Sequence, residues 1–222
     1  MSEPNAIEVF QDLILHTPAG DLSVMRSALI GHVSGAWQHA PEAEKTLKRN
    51  TSLDGDVIAF QRGSDAELPA AGLTLWSRPD GYEVSNIVPR ETGKLGFGTY
   101  NALLREFADL IARPAAIAGG FQVEVTSDSQ SLQDVSSPDV AAALRRFSAA
   151  ANKSTGSTHP ADRKRWMQFL ILAYQSGGDL GADFLTRWLV EADGWDDESA
   201  HDLAIQYEFA QDLLRAYDDE RT

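Results

Sequence analysis

Residues 73–88 read LTLWSRPDGYEVSNIV, two runs rich in β-branched and aromatic residues around Pro79-Asp80-Gly81. The tripeptide suits a tight turn with its glycine at positive φ, so Leu73–Arg78 and Tyr82–Val88 are expected to form a hairpin. Upstream, Val57-Ile58-Ala59-Phe60 is a compact apolar run after Asp54-Gly55, the pattern of a buried strand. Downstream, Tyr100, Leu103, Leu104, Phe107, Leu110 and Ile111 share one helical face, and Arg113-Pro114 is expected to end that helix. Phe121, Val123 and Val125 then alternate with polar residues as in a half-buried strand. The order β-β-β-α-β predicts a small, partly antiparallel sheet with helices on one face, within an α+β fold.

Toward the N-terminus the pattern is helical. Asn5-Ala6-Ile7-Glu8 resembles a capping box, and Ile7, Phe10, Leu13 and Ile14 follow at helical spacing. Ile7, Val9, Leu13 and Leu15 also partly alternate, which would suit a strand; helix is the preferred reading over residues 5–16. Pro18-Ala19-Gly20 breaks it, and Asp21 caps a second helix with Leu22, Met25, Leu29 and Val33 inward. A third, short and polar, follows Pro41 and fades at Arg49-Asn50.

Toward the C-terminus, residues 127–138 are poor in large apolar groups and read as a linker between an α+β domain (1–126) and a helical domain (139–222). Ser137-Pro138-Asp139 opens a helix with Val140, Leu144 and Phe147 inward. Three more follow. The first starts at Pro160 with Trp166, Met167, Leu170, Ile171 and Tyr174 on one face and stops at Gly177-Gly178. The second is capped by Asp179, carries Phe184, Leu185, Trp188 and Leu189, and ends at Gly194. Asp196 or Asp197 caps the third, with Ala200, Leu203, Ala204, Tyr207, Ala210, Leu214 and Tyr217 on one side. Short connections between amphipathic helices predict a bundle. Arg163-Lys164-Arg165 sits where the helix dipole disfavours positive charge, and acidic groups of the last helix could offset it.

The formal charge is −14, and eleven acidic against two basic residues from Glu191 to Thr222 supply −9 of it. Phosphate contacts need a basic footprint, so direct nucleic-acid binding is disfavoured. No apolar run approaches membrane-spanning length, the first residues lack a signal-peptide layout, and there are no cysteines. A cytoplasmic setting is expected, and disulfide and cysteine–zinc chemistry are excluded.

Catalytic signatures are sparse. His32 and His39 are seven apart, which is not a zinc-ligand spacing, and no nucleophile elbow or calcium loop occurs. No metal or cofactor is expected. The best ligand candidate is the connection 90–99, where Arg90, Lys94, Gly96, Gly98 and Thr99 lie between a strand and a helix and could hold an anion, although the spacing matches neither nucleotide fingerprint. Trp195, between Gly194 and Asp196, is either an interaction anchor or a staple clamping the last helix. The expectation is a non-enzymatic interaction or regulatory module, of the kind an antitoxin, immunity-type inhibitor or accessory subunit represents. Asp202, Glu208 and Asp212 would dock a basic partner with Trp195 at their edge. The competing class is a small-anion or nucleotide-binding enzyme using the 90–99 loop.

Overall fold

The computed structural model describes residues 6–17, 21–50, 55–153, 159–177 and 180–221. In chain order the elements are β1 (Ile7–Glu8), β2 (Leu13–His16), α1 (Leu22–Gly31), β3 (Trp37–His39), α2 (Pro41–Asn50), β4 (Val57–Arg62), β5 (Ala71–Arg78), β6 (Gly81–Pro89) and α3 (Phe97–Phe107). There follow α4 (Arg113–Gly119), β7 (Gln122–Val125), β8 (Ser129–Gln130), α5 (Leu132–Val135), α6 (Pro138–Ala150), α7 (Pro160–Ser176), α8 (Ala182–Arg187) and α9 (Asp197–Asp219). Wider π turns at Ala108–Ala112 and Trp188–Ala192 join α3 to α4 and extend α8. The fold is α+β. The chain divides into two compact units, Val9–Asp128 and Met1–Glu8 with Ser129–Thr222.

The Val9–Asp128 unit is built on a six-stranded antiparallel sheet in the order β3-β4-β5-β6-β2-β7. The expected hairpin is there: Ser77 pairs with Tyr82 and Arg78 with Gly81. Its glycine has a different reason from the expected one. Gly81 is not among the left-handed glycines; a Cβ on it would stand 1.6 Å from the Leu15 carbonyl oxygen of the neighbouring strand. The constraint is close backbone approach, not turn geometry.

Where a helix was expected over residues 5–16, Ile7–Glu8 and Leu13–His16 are strands; Asn5 lies outside the described residues. β2 is interior, between β6 and β7, and Leu13 and Leu15 are fully buried while Ile14 and His16 face the other way. Two neighbouring strands satisfy this segment's backbone, and period-two burial outweighs the helical spacing. Phe10 is left on the surface, packed on Phe97 (4.3 Å) and Tyr100 (4.7 Å). β3 is also new: Trp37 to His39 pair with β4, and the Trp37 indole donates to Glu106 at 2.8 Å.

Pro114 does not end its helix. It has no N–H for the Leu110 carbonyl, and a π turn absorbs the mismatch while the Ser34 hydroxyl donates to that oxygen at 3.1 Å. The helical run therefore continues to Gly119, and Gly120 caps it at φ 69°. Met25 and Leu29 of α1, together with Leu103, Leu104, Phe107, Ile111 and Ala115, pack on Leu13, Leu15, Ile58, Phe60, Leu73 and Leu75 of the sheet. β4 is buried on both faces. Ile58 and Phe60 join this core, and Ala59 lies beside α2, which explains the unbroken apolar run.

The second unit pairs β1 with β8, Ile7 opposite Gln130 and Glu8 opposite Ser129. Within the stretch expected to be a linker, β8 and α5 are regular structure. The rest is a helical bundle. A chain of rings forms its centre: Phe147 to Trp166 (4.9 Å), Trp166 to Phe169 (4.9 Å) and Phe169 to Tyr207 (5.9 Å). The buried face of α7 is Trp166, Phe169, Leu170 and Ala173, while Met167 and Ile171, expected inside, are exposed. His159 caps α7 and Gly177 ends it at φ 60°; Asp179 lies outside the described residues, and Gly181 occupies the cap of α8. Arg165 of the basic triplet pairs with Asp162 of its own helix at 2.7 Å, and among the described residues no ion pair joins the triplet to α9.

Candidate functional site

Helix α9 begins where the sequence places it. Gly194 turns left-handed at φ 75°, Asp196 accepts from the Ser199 N–H at 2.9 Å, and Asp197 and Glu198 occupy the first turn, where the helix dipole favours them. That backbone hydrogen bond holds the Asp196 carboxyl below its ordinary range.

The Gly194 turn also decides the place of Trp195. The Trp195 N–H reaches back to the Leu189 carbonyl at 2.9 Å, and the ring stacks on Phe147 at 5.5 Å. Its indole N–H donates to the Ser148 hydroxyl at 2.5 Å, a group held in turn by Asp193. At 3% exposure Trp195 belongs to the core; it is no surface anchor.

One face of α9 is buried through Ala200, Leu203, Ala204 and Tyr207, whose hydroxyl donates to the Leu180 carbonyl at 2.7 Å. The opposite face carries the feature that sequence reading missed. Ile205, Phe209, Leu213 and Tyr217 are 52%, 67%, 55% and 53% exposed. Four-residue steps keep them in one row about 18 Å long. Expecting a single apolar face, the sequence reading placed Tyr217 with the core and left Ile205, Phe209 and Leu213 unassigned. The signal was present: a helix whose apolar residues exceed one stripe has a second face to account for.

The three acidic candidates are exposed. By helical spacing Asp202 continues the apolar row toward the N-terminus, with Glu198 one turn before it, and Glu208 and Asp212 run along one flank. Glu208 and Asp212 also line a cleft of about 570 Å³ against Gly181 and Ala182, with Asp212 held by Arg215 at 3.1 Å. The flank carboxylates thus converge on one depression beside the row. Beyond Tyr217 the helix ends in Asp218 and Asp219 with no basic residue in its last turn, although a helix C-terminus disfavours negative charge. Asp218 accepts from the Tyr174 hydroxyl at 2.8 Å.

The anion candidates are less organised. No residue from 90 to 99 is buried; Arg90 and Lys94 are exposed, Gly93 sits at φ 144°, and Gly96 opens α3 without a side-chain cap. Gly98 and Thr99 are in the first turn of α3.

A third group of ionisable residues lies in the Val9–Asp128 unit. Arg26 binds Glu44 at 2.5 Å and Asp56 at 2.9 Å; Lys48 (2.8 Å) and Tyr82 (2.7 Å) also reach Asp56, and His39 (2.7 Å) and the Ala59 N–H (3.1 Å) reach Glu44. Burial alone would raise the Asp56 carboxyl, but Lys48, Tyr82 and Arg26 outweigh it and hold it at about 2. Both carboxylates are occupied by protein donors, so this network clamps α1 and α2 to the sheet. Arg62 is a second such clamp, bound to Glu106, Asp65 and the Leu68 carbonyl, and among the described residues no cluster could hold a metal ion.

Comparison of the chain with protein-family models, curated proteins and solved structures finds no match. Among the described residues, no helix is long and apolar enough to cross a membrane.

Proposed function

We propose that the chain is a cytoplasmic, non-enzymatic protein-interaction module that docks a basic partner on α9, in the manner of an inhibitor or an accessory subunit. One observation carries the reading: the row Ile205, Phe209, Leu213 and Tyr217 lies opposite the buried face, and Asp202, Glu208 and Asp212 stand around it. An apolar row with i, i+4 anchors is how a helix meets a complementary groove, and the acidic rim selects the sign of the partner. Asp202, Glu208 and Asp212 lie on one flank and at the N-terminal end of the row, and Asp218 and Asp219 close its C-terminal end. The absence of cysteine suits a reducing compartment.

Capture from the native host, run in parallel with wild-type chain, Phe209→Ser and Asp202→Lys/Asp212→Lys, tests this. A basic protein retained by the wild type, lost from both variants and released by rising salt is the expected result. Retention that ignores both substitutions and ionic strength removes the proposal. The nucleotide-enzyme alternative finds less support, since the 90–99 loop has no buried group to exclude water from an anion.

A further inference from the structure

We propose that the cleft between α6 and α7 binds a small aliphatic carboxylate, with its carboxylate at Arg146 and its chain over Ala143, Ile171 and Leu172. The cleft holds about 350 Å³, within the range of small-molecule sites. Its floor is aliphatic, and its polar lining is Arg146, Arg165 and Gln168. On a chain with 33 acidic and 19 basic residues, this lining contains two guanidinium groups and no carboxylate. The two arginines differ. Arg165 is committed to Asp162 at 2.7 Å, which fixes its direction and offsets its charge. Arg146 is exposed and makes no ion pair or hydrogen bond among the described residues; Gln168 beside it makes none either. A free planar guanidinium over an apolar floor is matched by a carboxylate, which accepts two parallel N–H bonds, carried on an aliphatic body.

Size narrows the occupant further. The lining runs from Arg165 to Leu172 along α7, about 10 Å of helix. That short lining is far smaller than the roughly 800 Å² per side of a standard protein interface and suits a small molecule. The site shares no lining residue with the α9 row and stands whether or not α9 docks a protein.

Sodium decanoate, kept below micelle-forming concentration and titrated into the full chain, is the probe, with decanol and inorganic phosphate in parallel. Saturable one-to-one binding is expected, with amide shifts confined to α6 and α7 and at least tenfold weaker binding of either control. Arg146→Gln should weaken decanoate roughly tenfold or more and leave decanol unchanged. Ile171→Glu, at a position 46% exposed and therefore compatible with folding, should abolish decanoate binding. Any of four results overturns the proposal: no saturation, equal binding by Arg146→Gln, phosphate binding as well as decanoate, or shifts centred on Ile205 to Leu213, which would mark detergent-like coating of the α9 row.

Discussion

Gly81 shows how much one missing methyl group can carry. Its added Cβ would fall 1.6 Å from the Leu15 carbonyl oxygen, a backbone atom that cannot rotate away. Gly81→Ala should therefore pry β6 from β2 and cost about 3 kcal/mol or more, read as a fall in the urea midpoint at unchanged slope. Asp56 supplies a pH prediction. Its carboxyl titrates at about 2 in the folded chain, below the ordinary 3.8, so its contribution is complete above about pH 4 and lost as pH falls through 2. Asp56→Asn should lower stability at pH 7 by about 1 kcal/mol after allowance for solvent screening, and the gap to wild type should close between pH 4 and 2. Thermal melts across that range give the check. Some of this scale was legible in the sequence, including the Asp196 cap and the Gly177 and Gly194 stops, because caps and left-handed turns are local chemistry. Trp195 was harder. Its burial depends on Phe147 and Ser148, nearly fifty residues away, which no local pattern contains.

At the scale of elements, α9 makes opposite predictions for its two faces. Leu203→Ala on the buried face should cost about 2–5 kcal/mol. Phe209→Ser on the exposed face should leave stability within about 0.5 kcal/mol and yet abolish partner capture. Urea unfolding of the two variants separates the roles; a Phe209→Ser variant that unfolds as easily as Leu203→Ala would mean the row packs against the protein itself. Elements with a strong period were readable: α2, α3, α6, α7 and α9, and the strands β4, β5 and β6. β2 and β3 were not, for a shared reason. Each is four residues or fewer and owes its structure to neighbours supplied by distant segments: β2 lies between β6 and β7, and β3 on β4. The continuation through Pro114 was hidden likewise, since the hydroxyl that satisfies Leu110 comes from Ser34.

At the scale of the whole molecule, the sheet unit has a core of its own drawn from strands and helices within Val9–Asp128. A polypeptide of residues 9–128 should fold cooperatively when expressed alone, with dispersed amide resonances and a single unfolding transition. A molten 9–128 fragment would make the two units one folding unit. Fold class was legible at this scale because the switch from period 3.6 to period 2 is written along the chain. The pairing of β1 with β8 was not, since it joins residues more than 120 positions apart.

That pairing has a consequence for how the chain could be cut and rejoined. The Val9 N–H donates to the Asp128 carbonyl at 2.9 Å, and one step outward Glu8 already faces Ser129. Everything between these two rungs enters and leaves through the same doorway. A gene deleted for codons 9–128 and closed with a two-residue turn would leave β1 and β8 as a plain hairpin. The sheet unit is thus a cassette, removable without stretching the backbone that held it.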